Sequence, residues 1–168
     1  MKSSTLLRIR LVISGVLFFY TALLFYWMFF GFGRTTQNVY SYNLVPFSTI
    51  ERFLYSKNIR YHLLINIFGN IGVFVPFGIL LRLCFQSSFV KTLAVFLLGV
   101  LCLETLQLVF RRGTFDVDDV MLNTAGFLLG WLAFMLGRRL VDMLRCVRQN
   151  RRQMQRDKAT HARFQACQ

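Results

Sequence analysis

The stretch LLGVLCLETLQLVF, Leu97–Phe110, decides how this chain must be read, because Glu104 and Gln107 stand in a run otherwise fit for hydrocarbon. A carboxyl group at the centre of a membrane span costs about 2.5–3.5 kcal/mol on insertion scales, so such residues face the inside of a helix bundle and find polar partners there. The rest of the chain shows what bundle that would be. Its 168 residues are 55% hydrophobic, and the apolar residues come in blocks rather than in an amphipathic scatter. Residues 11–32, 63–81 and 120–137 carry no charge, and 92–110 carries only Glu104. Each block is close to the roughly 20 residues that cross a hydrocarbon core about 30 Å thick. The expectation is an all-α membrane protein with four transmembrane helices over these ranges.

The first block follows Lys2, Arg8 and Arg10, the charge pattern of a signal peptide. Its apolar run exceeds the roughly 7–15 residues of such a region and ends in WMFFGFGR rather than in small residues, so it reads as a retained span. The formal charge of +13 would suggest nucleic acid in a soluble protein, but here its distribution orients the chain. With both termini inside, the N-terminus, Arg82 with Lys91, and the tail after Gly137 hold 14 of the 20 basic residues. The expectation is therefore cytoplasmic termini and no nucleic-acid partner. No CxxC spacing occurs, and Cys84, Cys102, Cys146 and Cys167 read as free thiols.

The chain divides into a transmembrane domain, 1–137, and a basic cytoplasmic tail, 138–168. In the tail Leu140, Met143, Leu144 and Val147 share one side and Arg139, Arg145, Arg148, Arg151 and Arg152 surround the rest. Anionic lipid attracts such residues by about 1 kcal/mol each near the surface; a solvated charge run that only orients the protein is the equal alternative. In the first external loop, NLVPFSTIERFL predicts a short interfacial helix. Pro46 extends Val45, Ser48 and Glu51 have capping-box spacing, and Ile50, Phe53 and Leu54 share a face.

The polar residues inside the spans form stripes. Asn66 and Asn70 are one turn apart in the second span, Glu104 and Gln107 in the third, and Asp119 and Asn123 in the fourth. At 1.5 Å per residue, Asn70 lies roughly 10 Å from the external end of its helix, Glu104 roughly 9 Å and Asn123 roughly 5–8 Å. The strings reach one depth, which predicts a pocket lined by Asn43, Asn66, Asn70, Glu104, Gln107, Arg112, Asp116, Asp119 and Asn123. Interhelical hydrogen-bonded glue among Asn, Gln and Glu is the competing reading. Pro76 is expected to kink the second span and free the Gly72 carbonyl, Gly69 and Gly72 to allow close approach, and Gly126 and Gly130 to form a GxxxG face for a homodimer.

The turn RRGTFDVDDVMLN, 111–123, holds Asp116, Asp118 and Asp119 at the start of the fourth span. Capping of that helix, pairing with Arg111 or Arg112, and a divalent cation are the alternatives; the spacing does not fit a calcium loop, and no metal or cofactor is expected. HExxH, Walker A and GxSxG are missing, and His62 and His161 fall on opposite sides of the membrane. Glu104 beneath Asp116 or Asp119 is the one carboxylate pair suited to acid/base work.

NLVPF from Asn43, NIFGNIGVFVPFGILL from Asn66, ETLQLVF from Glu104 and FDVDDVMLNTAGFLLG from Phe115 resemble, in order and spacing, the VanZ-like family of bacterial membrane proteins over roughly residues 40–132. The resemblance marks Asn43, Pro46, Asn66, Asn70, Pro76, Gly78, Glu104, Gln107, Asp116, Asp119, Asn123 and Gly126. It implies a multi-pass protein of the bacterial plasma membrane, in a family whose named member is associated with low-level resistance to the glycopeptide teicoplanin. The expected role is lowered glycopeptide susceptibility through an outer-leaflet pocket engaging a lipid-linked cell-wall precursor or the glycopeptide, with Arg112 on an anionic group and membrane lipids as surroundings. An enzyme modifying an envelope lipid or precursor, and an accessory subunit or carrier, are the alternatives.

Overall fold

The computed structural model describes residues 3–31, 35–55, 60–85 and 87–166. Helix α1 spans Ser3–Phe30, a two-residue strand β1 Tyr42–Asn43, α2 Ser48–Tyr55, α3 Arg60–Phe85, α4 Phe89–Val109, strand β2 Phe115–Asp116, and α5 Val117–Ala166. Four of these helices, all but α2, are long and apolar enough to cross a membrane. The chain falls into two compact units, residues 1–131 and 132–168.

In the first unit, large apolar side chains point outward along the spans. Phe18, Phe19 and Leu98 are each about two-thirds exposed or more, an inside-out distribution that suits a lipid solvent in which Phe and Leu need not be hidden. The interior is small and aromatic: Leu24, Phe74, Phe77, Leu81, Phe96, Val100 and Phe127 form the core. Phe96 stacks on Phe127 at 4.5 Å and meets Phe74 edge-on at 5.7 Å, tying α3, α4 and α5 at one level. Helix α1 lies antiparallel to α3. Ser14 sits beside Cys84, while six residues on the Tyr20 hydroxyl donates to the Val73 carbonyl at 2.8 Å.

Helices α3 and α5 run parallel and touch backbone to backbone. A Cβ at Gly126 would collide with the Ile71 carbonyl, one at Gly130 with that of Val75, and one at Gly78 with Phe127 and Trp131 backbone. The GxxxG face expected to carry a homodimer is thus covered by α3 within the chain. Gly78 supplies the matching gap on α3. Gly69 and Gly72, expected to permit close approach, meet nothing within 4 Å among the described residues. Helix α3 passes through Pro76, whose missing N–H removes the Gly72 carbonyl's helical donor.

The α3–α4 corner is closed by Arg82, which donates to the Ser87 carbonyl and lies over the Trp131 ring at 5.2 Å. Ser87 and Thr92 join by their hydroxyls at 2.8 Å. In the second unit, α5 continues in helical form with its described side chains, among them Leu140, Met143, Leu144 and Val147, exposed apart from the half-buried Phe134. Arg145 and Asp142 approach to 3.7 Å, one turn apart. Cys84, Cys102 and Cys146 are free thiols; Cys167 lies outside the described residues.

Candidate functional site

The end of the bundle where α1 and α4 finish and α3 and α5 begin is organised by residues 107–119. Helix α4 ends in a Schellman turn: the Arg112 N–H returns to the Gln107 carbonyl and the Arg111 N–H to that of Leu108, both at 3.0 Å. Arg111 takes the left-handed position, φ 54°, usually filled by glycine. The turn in between brings Phe115–Asp116 beside Tyr42–Asn43 as a short parallel pair, with Phe115 N–H donating to the Ser41 carbonyl at 3.1 Å.

This juxtaposition sets up a polar latch. Asp116 Oδ1 accepts the Asp118 N–H at 2.9 Å, capping α5, and the Asn43 amide at 3.1 Å; its Oδ2 accepts the Thr49 hydroxyl at 2.6 Å. Asp118, fully buried, reaches the other way: Oδ1 takes the Phe47 N–H at 2.6 Å and Oδ2 the Thr49 N–H at 2.9 Å. The start of α2 is therefore capped by a residue some 70 positions away, not by the expected Ser48–Glu51 box. The Ser48 hydroxyl is occupied by the Asn43 amide at 2.7 Å. Phe47, at φ 64°, is held in its left-handed conformation by the same carboxylate. The side chains of Ile50, Phe53 and Leu54, expected to form the apolar face of α2, lie outside the described residues. Asp118 was missed as a site residue; the three aspartates within four positions signalled capping of their own helix, while the cap they give α2 needed the strand pairing to appear.

The last carbonyls of α1 have no helical donors of their own. Gln107 Nε2 donates to the Met28 carbonyl at 3.2 Å and Arg112 Nη1 to that of Phe29 at 3.1 Å, with the guanidinium 4.8 Å over the Phe30 ring. Arg112, expected to hold an anionic group, is half-buried and brings positive charge to the negative end of the α1 dipole.

Deeper in, the aromatic layer serves as a ruler. One turn, about 6 Å, from Phe74, Phe96 and Phe127 toward the latch lie Asn70, Val100 and Asn123; one turn further lie positions 66, 104 and 119. Across α3 and α5, Asn70 Nδ2 donates to Asp119 Oδ1 at 2.6 Å. On α4, Thr92, Phe96, Val100, Glu104 and Gln107 form one buried stripe. Glu104 and Asn123 are each 1% exposed. The Asn66 side chain lies outside the described residues. Asn123 Oδ1 is buried without a hydrogen-bond donor; Glu104 Oε2 also receives no hydrogen bond, although Glu104 interacts elsewhere in the chain.

The eight expected residues whose side chains are described separate into three groups. Asn43 and Asp116 build the latch, Gln107 and Arg112 close α1, and Asn70, Glu104, Asp119 and Asn123 form the in-span layer.

Four spans enclosing a buried carboxyl and amide layer beneath a capped turn define a multi-pass membrane protein of the polar-cored kind. The VanZ/LLP1 family model matches residues 17–138, and the chain belongs to that family. It is also similar to Protein VanZ of Enterococcus faecium, 28% identical over 127 residues that cover 72% of each chain. No solved structure matches.

Proposed function

We propose that this VanZ-like protein lies in the bacterial plasma membrane with both termini cytoplasmic and lowers susceptibility to glycopeptides such as teicoplanin. It does so by engaging a lipid-linked precursor or lipid-anchored ligand in an outer-leaflet pocket formed by Asn70, Glu104, Asp119 and Asn123. The observation that carries this reading is Asn123. Most of the expected polar residues have the hydrogen bonds that interhelical glue would need, whereas Asn123, 1% exposed, keeps an acceptor oxygen with no donor among the described residues. A buried acceptor left in that state costs about 1–3 kcal/mol. A packing role alone gives no return for that cost, since leucine would fill the space without it; a ligand does. The latch above the layer holds the first loop over its mouth.

The test is expression of the chain in a teicoplanin-sensitive bacterium. The wild type is expected to raise the inhibitory concentration, and Asn123→Leu to lose the effect while reaching the membrane in equal amount. Full protection by Asn123→Leu removes the pocket from the function.

A further inference from the structure

The sequence leaves the basic tail open between an anionic lipid contact and a solvated charge run, and the exposed faces of α5 beyond Gly137 separate the two. From Arg138 to Asp157 the chain is continuous helix with seven arginines and two aspartates. At about 100° per residue, Leu140, Met143, Leu144, Val147 and Met154 fall within an arc of about 100°, and Arg138, Arg145, Arg148 and Arg152 share the adjoining arc of about 80°. The five apolar side chains are between 46 and 66% exposed, and the four arginines are exposed as well. Arg145 approaches Asp142 at 3.7 Å, a pair so open to solvent that it holds the guanidinium only weakly. Neither bulk phase suits this helix. Water leaves the apolar arc unburied, and hydrocarbon rejects a segment with seven arginines.

We propose that residues 138–157 bind the anionic headgroup surface of the leaflet on their own side of the membrane. Leu140, Met143, Leu144, Val147 and Met154 enter the boundary between headgroups and acyl chains, and Arg138, Arg145, Arg148 and Arg152 pair with the lipid phosphates. Arg151, inside the apolar arc, reaches the headgroups along its own aliphatic stem. Gly137, directly before Arg138, lacks a Cβ and meets nothing described within 4 Å, so the helix bends there at little cost. A second copy of the tail fits this surface poorly, since each carries a net +5 over these residues. A soluble acidic protein matches the charge, but the leaflet is tied to the tail by the tail's own span and is therefore present at high effective concentration. Charge and amphipathic pattern alone carry this contact, whichever face of the membrane the tail occupies and whatever the pocket holds.

The full chain, its four native cysteines replaced by serine, carries one cysteine labelled with the fluorophore NBD at position 147, in the apolar arc, or at 149, opposite it. It is reconstituted one copy per nanodisc in phosphatidylcholine alone or with about one third phosphatidylglycerol, together with lipid bearing a nitroxide near the headgroup end of its acyl chain. With phosphatidylglycerol, quenching at Val147→Cys is expected to exceed that at Gln149→Cys by about 3-fold or more. The excess is expected to fall by about half or more in phosphatidylcholine alone, in about 0.5 M salt, and when Arg145→Gln, Arg148→Gln and Arg152→Gln are combined. Equal, weak quenching at both positions overturns the proposal, and a blue shift at 147 on adding polyglutamate then gives the face to an acidic protein instead. An excess at 147 that is the same without phosphatidylglycerol and in the arginine variant overturns the assignment to anionic lipid. No excess in single-copy discs, with NBD self-quenching at 147 in discs holding two copies, gives the apolar arc to a second copy and overturns it likewise.

Discussion

Asp118 and Arg111 show how much of this end of the molecule depends on single groups. Asp118 is fully buried and accepts two backbone N–H groups from the segment that starts α2. Charge-assisted bonds of this kind contribute about 1.5–3 kcal/mol each, and truncation leaves two donors without an acceptor. Asp118→Ala is expected to lower stability by about 2–4 kcal/mol, and Asp118→Asn by roughly half as much, since one oxygen survives. Thermal unfolding in nanodiscs checks the first difference, and faster tryptic cleavage within α2 accompanies it. At Arg111 two terms oppose each other. The left-handed backbone costs a non-glycine residue about 1–2 kcal/mol, while the guanidinium lies 5.2 Å over the Tyr40 ring, a contact worth about 0.5–1 kcal/mol at an exposed site. Arg111→Gly relieves the first and loses the second, so its unfolding midpoint is expected at or slightly above that of the wild type. A clear fall shows that Arg111 contributes more than these two terms.

At the scale of elements, the α3–α5 contact is the seam on which the layer's geometry rests. Gly78, Gly126 and Gly130 let two backbones meet directly, and this holds Asn70 within reach of Asp119. Gly130→Ala would drive a methyl group into the Val75 carbonyl, and because both atoms belong to helix backbones neither can rotate away. A loss of about 2–4 kcal/mol is expected. Gly72→Ala, where nothing described stands within 4 Å, is the control and is expected to gain about 0.5–1 kcal/mol from reduced backbone entropy in the unfolded chain. Equal effects of the two variants, read by chemical denaturation in detergent micelles, contradict the seam. The same seam explains why the small-residue motif was legible while its use was not: GxxxG spacing marks a face that admits close approach, and says nothing of whether the approaching helix belongs to the same chain.

For the whole molecule, the proposed topology has its own test. In a variant keeping Cys146 as its single cysteine, a membrane-impermeant maleimide is expected to leave intact cells unlabelled and to react after lysis. A cysteine placed at Val39, which is exposed, is expected to be labelled from outside. Labelling of Cys146 in intact cells reverses the orientation and moves the polar layer to the inner leaflet, where a lipid-anchored antibiotic arriving from outside would not meet it. The positive-inside pattern motivates the expectation, because basic residues resist translocation whatever the bundle does afterwards.

Hydropathy and spacing by themselves determined four spans, and helical rise led to the expectation that Asn70, Glu104 and Asn123 lie near one depth, because length and periodicity are local properties that lipid enforces on any chain. The family was legible for a related reason: its motifs are the polar and small residues that hydrocarbon tolerates only where they have a task. The tertiary structure alone decided which of those residues hold the fold and which remains open. Asp118 on α2, Arg112 on α1 and the strand pairing of Asn43 with Asp116 join segments far apart in the chain, and no local pattern encodes a hydrogen bond between them. Whether a buried amide is satisfied depends on every helix around it, so the open oxygen of Asn123 is a property of the assembled bundle.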